Sequence, residues 1–144
     1  MAGIYDIIFL GEFGMANRSE LREKIMTIIY QISLYQENDL TYNLDEIIKE
    51  NSEIENEFIK EMVYGIVTYR DELIKTANGY LKSWTIDRLD RAGSAILLMA
   101  LYEIKYVDTP DVVVINEAIE LAKKYSDEPV RKMINAVLDK VINE

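Results

Sequence analysis

Apolar residues recur every three or four positions along most of the chain, and this spacing predicts α-helices. A first helix is expected from near Arg18 to about Tyr35. Asn17 can cap this helix, and Glu20 stands three residues later as its reciprocal partner. The predicted buried stripe consists of Leu21, Ile25, Ile28, Ile29 and Ile32.

The next segments predict a loop and two more helices. Residues 36–43 are polar and indicate a loop, whereas residues 44–51 predict a short helix. The motif Ser52-x-x-Glu55 is a capping box, so it predicts the start of a long helix that ends at the terminating signal Asn78-Gly79. The apolar positions expected to face inward are Ile47 and Ile48, then Ile54, Phe58, Met62, Ile66, Tyr69 and Leu73.

The second half of the chain predicts three further helices. One runs from about Asp87 or Leu89 to Tyr106. Thr109-Pro110 offers a cap and a first-turn proline for a helix that reaches Tyr125, and residues 126–129 repeat this arrangement for the last helix. No segment alternates with the period of two that strands require. The predicted fold is therefore all-α, a single compact bundle of six to seven helices.

Composition excludes several classes of function. The 144 residues contain no cysteine and no histidine, so disulfides, Cys/His zinc sites and Ser-His or Cys-His nucleophiles are impossible. Acid–base or magnesium chemistry with carboxylates alone stays open, but no pattern favours it. The lack of cysteine suits a reducing cytoplasm. No apolar run is long enough for a transmembrane helix.

The chain is acidic, and its acidic residues are unevenly distributed along the sequence. A formal net charge of −10 opposes indiscriminate binding to nucleic acid, so an RNA contact needs a local basic patch or a basic partner. Residues 37–61 carry nine acidic side chains against Lys49 and Lys60, which gives this block a net charge of −7. The block predicts a solvated face, with a docking face for a basic protein as the alternative.

Residues 1–14 differ in character from the rest of the chain. They are apolar and end in Gly-Glu-Phe-Gly, which is typical of a cloning-derived leader. We expect this segment to be such a leader or a flexible arm, with residues 15–144 forming a single all-helical domain that starts at Met15. A native apolar arm that docks on the bundle is the alternative.

The residue identities near the end of the chain indicate a protein family more specifically than the hydrophobic periodicity does. The run from Ile115 to Tyr125 (INEAIELAKKY) and the later VLDK at residues 137–140 resemble the NusB family of bacterial transcription antitermination factors. Further matching segments in the same order are Arg22-Glu23, residues 28–31 (IIYQ), Tyr80-Leu81, residues 88–91 (RLDR), residues 95–97 (AIL), residues 100–103 (ALYE), Pro110, Lys132 and Asn135.

The resemblance implies a function. NusB-like proteins are all-helical and pair with NusE, a ribosomal protein of the small subunit. The pair binds boxA-type RNA and joins the transcription elongation complex, which then reads through terminators in ribosomal RNA operons. For this chain the resemblance implies a cytoplasmic binding module with no catalysis, cofactor, metal or membrane association. It would exist as a monomer or a homodimer.

The resemblance also suggests site residues. Arg18 and Arg22 share a helix face at a helix start that favours phosphate, and Tyr30 can stack on a base. Lys132 and Asn135 lie one turn apart and can contact a phosphate and a base edge. The predicted RNA-binding residues are Arg18, Arg22, Lys24, Tyr30, Arg131, Lys132 and Asn135; the predicted partner-binding residues are Tyr80, Arg88 and Glu103.

Other interpretations of these residues stay open. The arginines can pair with neighbouring acids, Tyr30 and Tyr80 can be core residues, and Asn135 can satisfy backbone groups between helices. Ser19 and Glu20 thin the basic arm of the family, which predicts weak RNA affinity alone and stronger affinity with the basic partner. Gly93 puts one partner contact in doubt. The other departures from the family pattern are Ser94, Leu98, Met133 and Ala136. The alternative functions are a protein-binding helical adaptor and the RNA-binding domain of a ribosomal RNA methyltransferase.

Overall fold

The computed structural model describes residues 17–82 and 84–144, and its described residues form seven α-helices and one 3₁₀ turn. The all-α fold is confirmed. The expected leader lies outside the described residues, and its origin stays a prediction. The helices are α1 Arg18–Glu37, α2 Leu44–Asn51, α3 Glu57–Thr68, α4 Arg70–Tyr80, α5 Arg91–Tyr106, α6 Asp111–Tyr125 and α7 Glu128–Asn143, with the 3₁₀ turn at Ile86–Arg88 between α4 and α5.

The chain divides into two compact units, Met1–Lys60 and Glu61–Glu144. In the first unit, the Asn17 side chain accepts a hydrogen bond from the Glu20 amide at 3.0 Å and caps α1 as predicted. Asn43 caps α2 in the same way. The predicted stripe of α1 is buried, as are Ile47 and Ile48 of α2, and the two helices pack against each other.

The start of α3 corrects a prediction. The Ser52-x-x-Glu55 capping box does not form, because the Ser52 hydroxyl donates to the Ile54 carbonyl and Glu55 pairs with Lys60. The helix begins five residues after Ser52, where the Asn56 side chain accepts from the Ile59 amide at 3.0 Å. Ile54 therefore precedes the helix and is 49% exposed, although the period placed it inward.

The single long helix expected up to Asn78-Gly79 is interrupted. The backbone leaves the helix at Tyr69 (φ −100°, ψ 16°), which separates α3 from α4. Tyr69 lies outside the core and stacks on Tyr106, with ring centroids 4.5 Å apart. At the other end, α4 continues through Gly79, and Lys82 takes the left-handed conformation (φ 55°) that glycine usually supplies after a helix.

In the second unit, α5 is the central helix and packs against α4, α6 and α7. Its cap is Asp90, whose carboxylate accepts from the Gly93 amide and from the Ser126 hydroxyl. A Cβ at Gly93 would lie 2.6 Å from Val130 Cγ1, so this departure from the family pattern follows from close packing.

Two predicted helix starts shift by one residue. Pro110 stands at the cap of α6 rather than in its first turn, and no side chain caps that helix. Asp127 caps α7 by accepting from the Val130 amide at 3.1 Å, with Pro129 in the first turn as predicted. Ser126 is left to bond Asp90, which ties the α6–α7 turn to the start of α5.

Candidate nucleic-acid interface

The first turns of α1 place two arginines on one aromatic ring. Arg18 and Arg22 are four residues apart, so they share a helix face. The Arg18 Cζ atom lies 3.9 Å from the centroid of the Phe58 ring, and the Arg22 Cζ atom lies 5.5 Å from it. We call Arg18, Arg22 and Phe58 the arginine platform. Sequence reasoning placed Phe58 in the core but missed its role as the surface on which both guanidinium groups rest.

The two arginines differ in exposure. Arg18 is exposed, whereas Arg22 is 5% exposed and makes further interactions besides its contact with the ring. Arg18 can therefore reach a phosphate directly. The burial of Arg22 favours a role in holding Phe58, and its predicted RNA contact stays a prediction.

The other two predicted contacts on α1 are half-buried. Lys24 follows Arg22 by two residues, and the backbone carbonyl of Tyr30 accepts a hydrogen bond from the Ser33 hydroxyl at 2.6 Å. Half-burial suits an aromatic ring that packs on one face and offers the other to a base. Both RNA contacts stay predictions.

The start of α7 carries the remaining predicted RNA contacts. Lys132 and Asn135 are exposed, and Arg131 is half-buried. Lys132 Nζ lies 3.0 Å from Glu128 Oε1, and both side chains are largely in solvent. Exposed pairs of this kind contribute about 0–1 kcal/mol, so an RNA phosphate can replace Glu128 at little cost.

The three predicted partner contacts occupy different environments. Tyr80 is half-buried, and its hydroxyl donates to the Glu144 carboxylate, which raises the pKa of Tyr80. Arg88 is exposed, with its Cζ atom 5.9 Å from the ring centroid of Trp84. Glu103 is 1% exposed and makes interactions of its own in α5. Its burial favours an internal role, and its contact with a partner stays a prediction.

An aromatic cluster beside α5 also carries a perturbed pKa. The Tyr106 hydroxyl donates to both oxygens of Glu72 at 2.7 and 2.8 Å, and Lys105 Nζ lies 2.7 Å from the same carboxylate. The hydrogen bond to Glu72 raises the pKa of Tyr106 to about 12. Lys105, then Tyr106, lower the pKa of Glu72. Sequence reasoning missed this cluster because Tyr69 was predicted to be in the core.

The exposure of the acidic block fits both a solvated face and a docking face for a basic protein. All nine of its carboxylate side chains are exposed, so neither of the two predicted roles is decided. Across the described ranges, 17–82 and 84–144, no group of three or more acidic side chains is arranged to hold a metal ion. Within those same ranges no helix is long and apolar enough to cross a membrane.

Comparison with known proteins identifies the family. The sequence model of the NusB family matches residues 19–143, so this chain belongs to the NusB family. It is 43% identical over 128 residues to the transcription antitermination protein NusB of Pediococcus pentosaceus, an alignment that covers 87% of this chain and 96% of that protein. It is 39% identical over 127 residues to the protein of that name from Staphylococcus aureus, covering 87% of this chain and 98% of the relative.

Solved structures agree with this assignment. The NusB structure from T. maritima superimposes with a TM-score of 0.78 at 27% identity, covering 90% of this chain and 92% of that one. A structure of antitermination factors NusB and NusE in complex with double-stranded RNA contains a chain that matches with a TM-score of 0.75 at 25% identity. That match covers 88% of this chain and 96% of the other.

Proposed function

We propose that this chain is a transcription antitermination factor that binds boxA-type RNA together with NusE, as a cytoplasmic binding module without catalysis. The observation that carries the proposal is the match, over most of both chains, to a protein solved with NusE and RNA. The 43% identity to a relative named for antitermination supports it.

The geometry supports specific contacts for the RNA. Arg18 offers an exposed guanidinium at the first turn of α1, where backbone amides and the helix dipole favour phosphate. Lys132 and Asn135 offer a cation and an amide on one exposed face of α7. With a net charge of −10, the chain needs a basic companion to raise its affinity for RNA, and NusE fits this requirement.

The test is a titration of boxA-type RNA, with and without NusE, at two salt concentrations. We expect weak binding by the chain alone, stronger binding with NusE, and a loss of RNA affinity in Arg18→Glu and Lys132→Glu. Arg22 is unsuitable for charge reversal, because an acid at a position with 5% exposure would unfold the protein.

A second candidate is a protein-binding helical adaptor, favoured by the exposed acidic block and the burial of Arg22. In that case NusE would bind, RNA would not, and the two charge reversals would change nothing. Absence of both RNA and NusE binding would overturn both candidates.

A further inference from the structure

An open cleft in the second unit is lined by three lysines. It lies where the C-terminal ends of α4 and α7 meet and has a volume of about 710 Å³. Its cations are Lys75, Lys82 and Lys140, and we call it the lysine cleft. Among its described lining residues the only carboxylate side chain is that of Glu144. A concentration of positive charge is notable in a chain with 26 acidic residues against 16 basic ones.

The residue at position 82 is not the one that the backbone favours. Lys82 has φ 55°, in the left-handed conformation that follows the end of α4. Glycine adopts this conformation without strain, whereas a side chain with a Cβ atom does not. The backbone conformation therefore gives no reason for a lysine here, and its side chain adds a cation to the cleft.

Gly79, which also lines the cleft, is likewise unexplained by packing. It lies inside α4, where alanine would form a better helix. A Cβ atom added to Gly79 would meet nothing within 4 Å, so no neighbour in the fold requires the glycine. A glycine in open space on a cleft wall leaves the helix backbone accessible to a ligand.

The lysine cleft already holds one anionic group. The Tyr80 hydroxyl donates to the Glu144 carboxylate, and both residues line the cleft. In the described part of the chain none of the three lysines forms an ion pair within 4.0 Å. Glu144 is held by the tyrosine instead, which leaves the lysine donors open to a second anion.

We infer that the lysine cleft binds backbone phosphates of the RNA, and that the Glu144 carboxylate competes with them for it. This inference rests on the proposed function and extends the RNA path along α7. Lys140 follows Lys132 by eight residues, which is about 12 Å along the helix axis. A strand held at Lys132 and Asn135 can therefore continue to the cleft.

The first test removes the cations from the purified full chain in the presence of NusE. Lys82→Gly keeps the backbone favourable, and we expect it to raise Tm while weakening boxA-type RNA binding roughly fivefold at 0.1 M salt, the effect of one lost phosphate contact. Lys75→Gln with Lys140→Gln should weaken RNA binding by more than tenfold. Affinity for NusE should not change in either variant.

Matched controls separate the local effects from general ones. Asp39 also has a positive φ of 52° and lies in the acidic block, so Asp39→Gly repeats the backbone change without removing a cation. Lys49→Gln repeats the loss of one positive charge on an exposed helix position. Neither variant should weaken RNA binding measurably.

The second test should strengthen RNA binding instead of weakening it. Glu144→Gln removes the competing charge, and we expect it to tighten RNA binding several-fold. Glu53→Gln, an exposed residue of the acidic block, is the control for net charge and should change affinity less.

Three results would overturn the inference. If Lys82→Gly and the double variant bind RNA as tightly as the wild type, the cleft takes no phosphate and the proposed function stands without it. If these variants lose NusE instead of RNA, the cleft binds an acidic segment of the partner. If the wild type binds no RNA with NusE present, both the inference and the proposed function fall.

Discussion

The arginine platform and the lysine cleft are both basic, but they are built in opposite ways. Arg18 and Arg22 lie over the Phe58 ring, which is only 7% exposed, so their guanidinium groups contact a residue of the core. The three lysines line an open cleft. The comparison shows that a basic residue predicted to bind RNA can be buried against the core, whereas basic residues that were not predicted to bind can line an open cleft.

The largest expected effect on stability comes from a substitution that removes the ring of the arginine platform. Phe58→Ala should lower the free energy of unfolding by about 3–5 kcal/mol, because it removes a buried ring and the surface that supports two guanidinium groups. Urea denaturation measures this loss. Phe58→Leu, which keeps an apolar side chain, is the control and should cost less. A loss under about 1 kcal/mol for the alanine variant would mean that the ring is not structural.

Substitutions of the two arginines should lower the free energy of unfolding by different amounts in the same experiment. Arg22→Met removes a buried polar group and should cost about 1–3 kcal/mol. Arg18→Met removes an exposed cation from the face of a ring and should cost about 0.5–1 kcal/mol. The reverse order would show that burial does not distinguish their roles.

Two glycines distinguish a position that close packing requires from a position that faces open space. Gly65→Ala should cost about 1–3 kcal/mol, because its Cβ would overlap the Tyr102 hydroxyl oxygen. Gly79→Ala, in the wall of the lysine cleft, should instead stabilise α4 by about 0.5–1 kcal/mol. Thermal unfolding of both variants measures the difference. A loss of stability in Gly79→Ala would contradict the view that this glycine has no packing role.

The smallest expected effect concerns the exposed pair Tyr106 and Glu72, which belongs to neither the arginine platform nor the lysine cleft. Because the pKa of Tyr106 is raised to about 12 from 10.0, its contribution to stability is present below pH 10 and is lost as pH rises toward 12. Because the pKa of Glu72 is lowered from 4.5, its contribution is present above pH 4.5 and is lost as pH falls below that value.

Glu72→Gln should return the pKa of Tyr106 toward 10, since the hydrogen bond to the carboxylate is the largest cause of the shift. Ultraviolet titration of tyrosinate in this variant, with Tyr106→Phe to assign the signal, measures the change. An unchanged titration curve would mean that Glu72 does not hold the Tyr106 hydroxyl.

The helices could be predicted from the sequence wherever periodicity and caps agreed, as at Asn17 and across Leu44–Asn51. One error arose where a cap motif did not form. Ser52 was predicted to cap the helix, but its hydroxyl bonds the Ile54 carbonyl, and the Asn56 side chain accepts from the Ile59 amide where the helix begins. The interruption at Tyr69 was not predictable from period, because its ring stacks on Tyr106, which lies 37 positions away.

Site residues were harder to predict, because side-chain exposure depends on packing across helices. The spacing of Arg18 and Arg22 correctly predicted a shared face, but only the fold shows that Arg22 is buried. The lysine cleft brings Lys140 together with residues of α4 that precede it by about sixty positions, and no local motif signals that. The family resemblance supplied the proposed function because it reflects long matching segments, not single residues.

The most direct test of the account is the salt dependence of boxA-type RNA affinity with NusE present. For a single strand, each lost phosphate contact should reduce the slope of log affinity against log salt by about 0.7. We expect that reduction in Arg18→Met and in Lys82→Gly, and no change in Lys49→Gln. Equal slopes in the wild type, Arg18→Met and Lys82→Gly would contradict phosphate recognition by exposed cations of this chain.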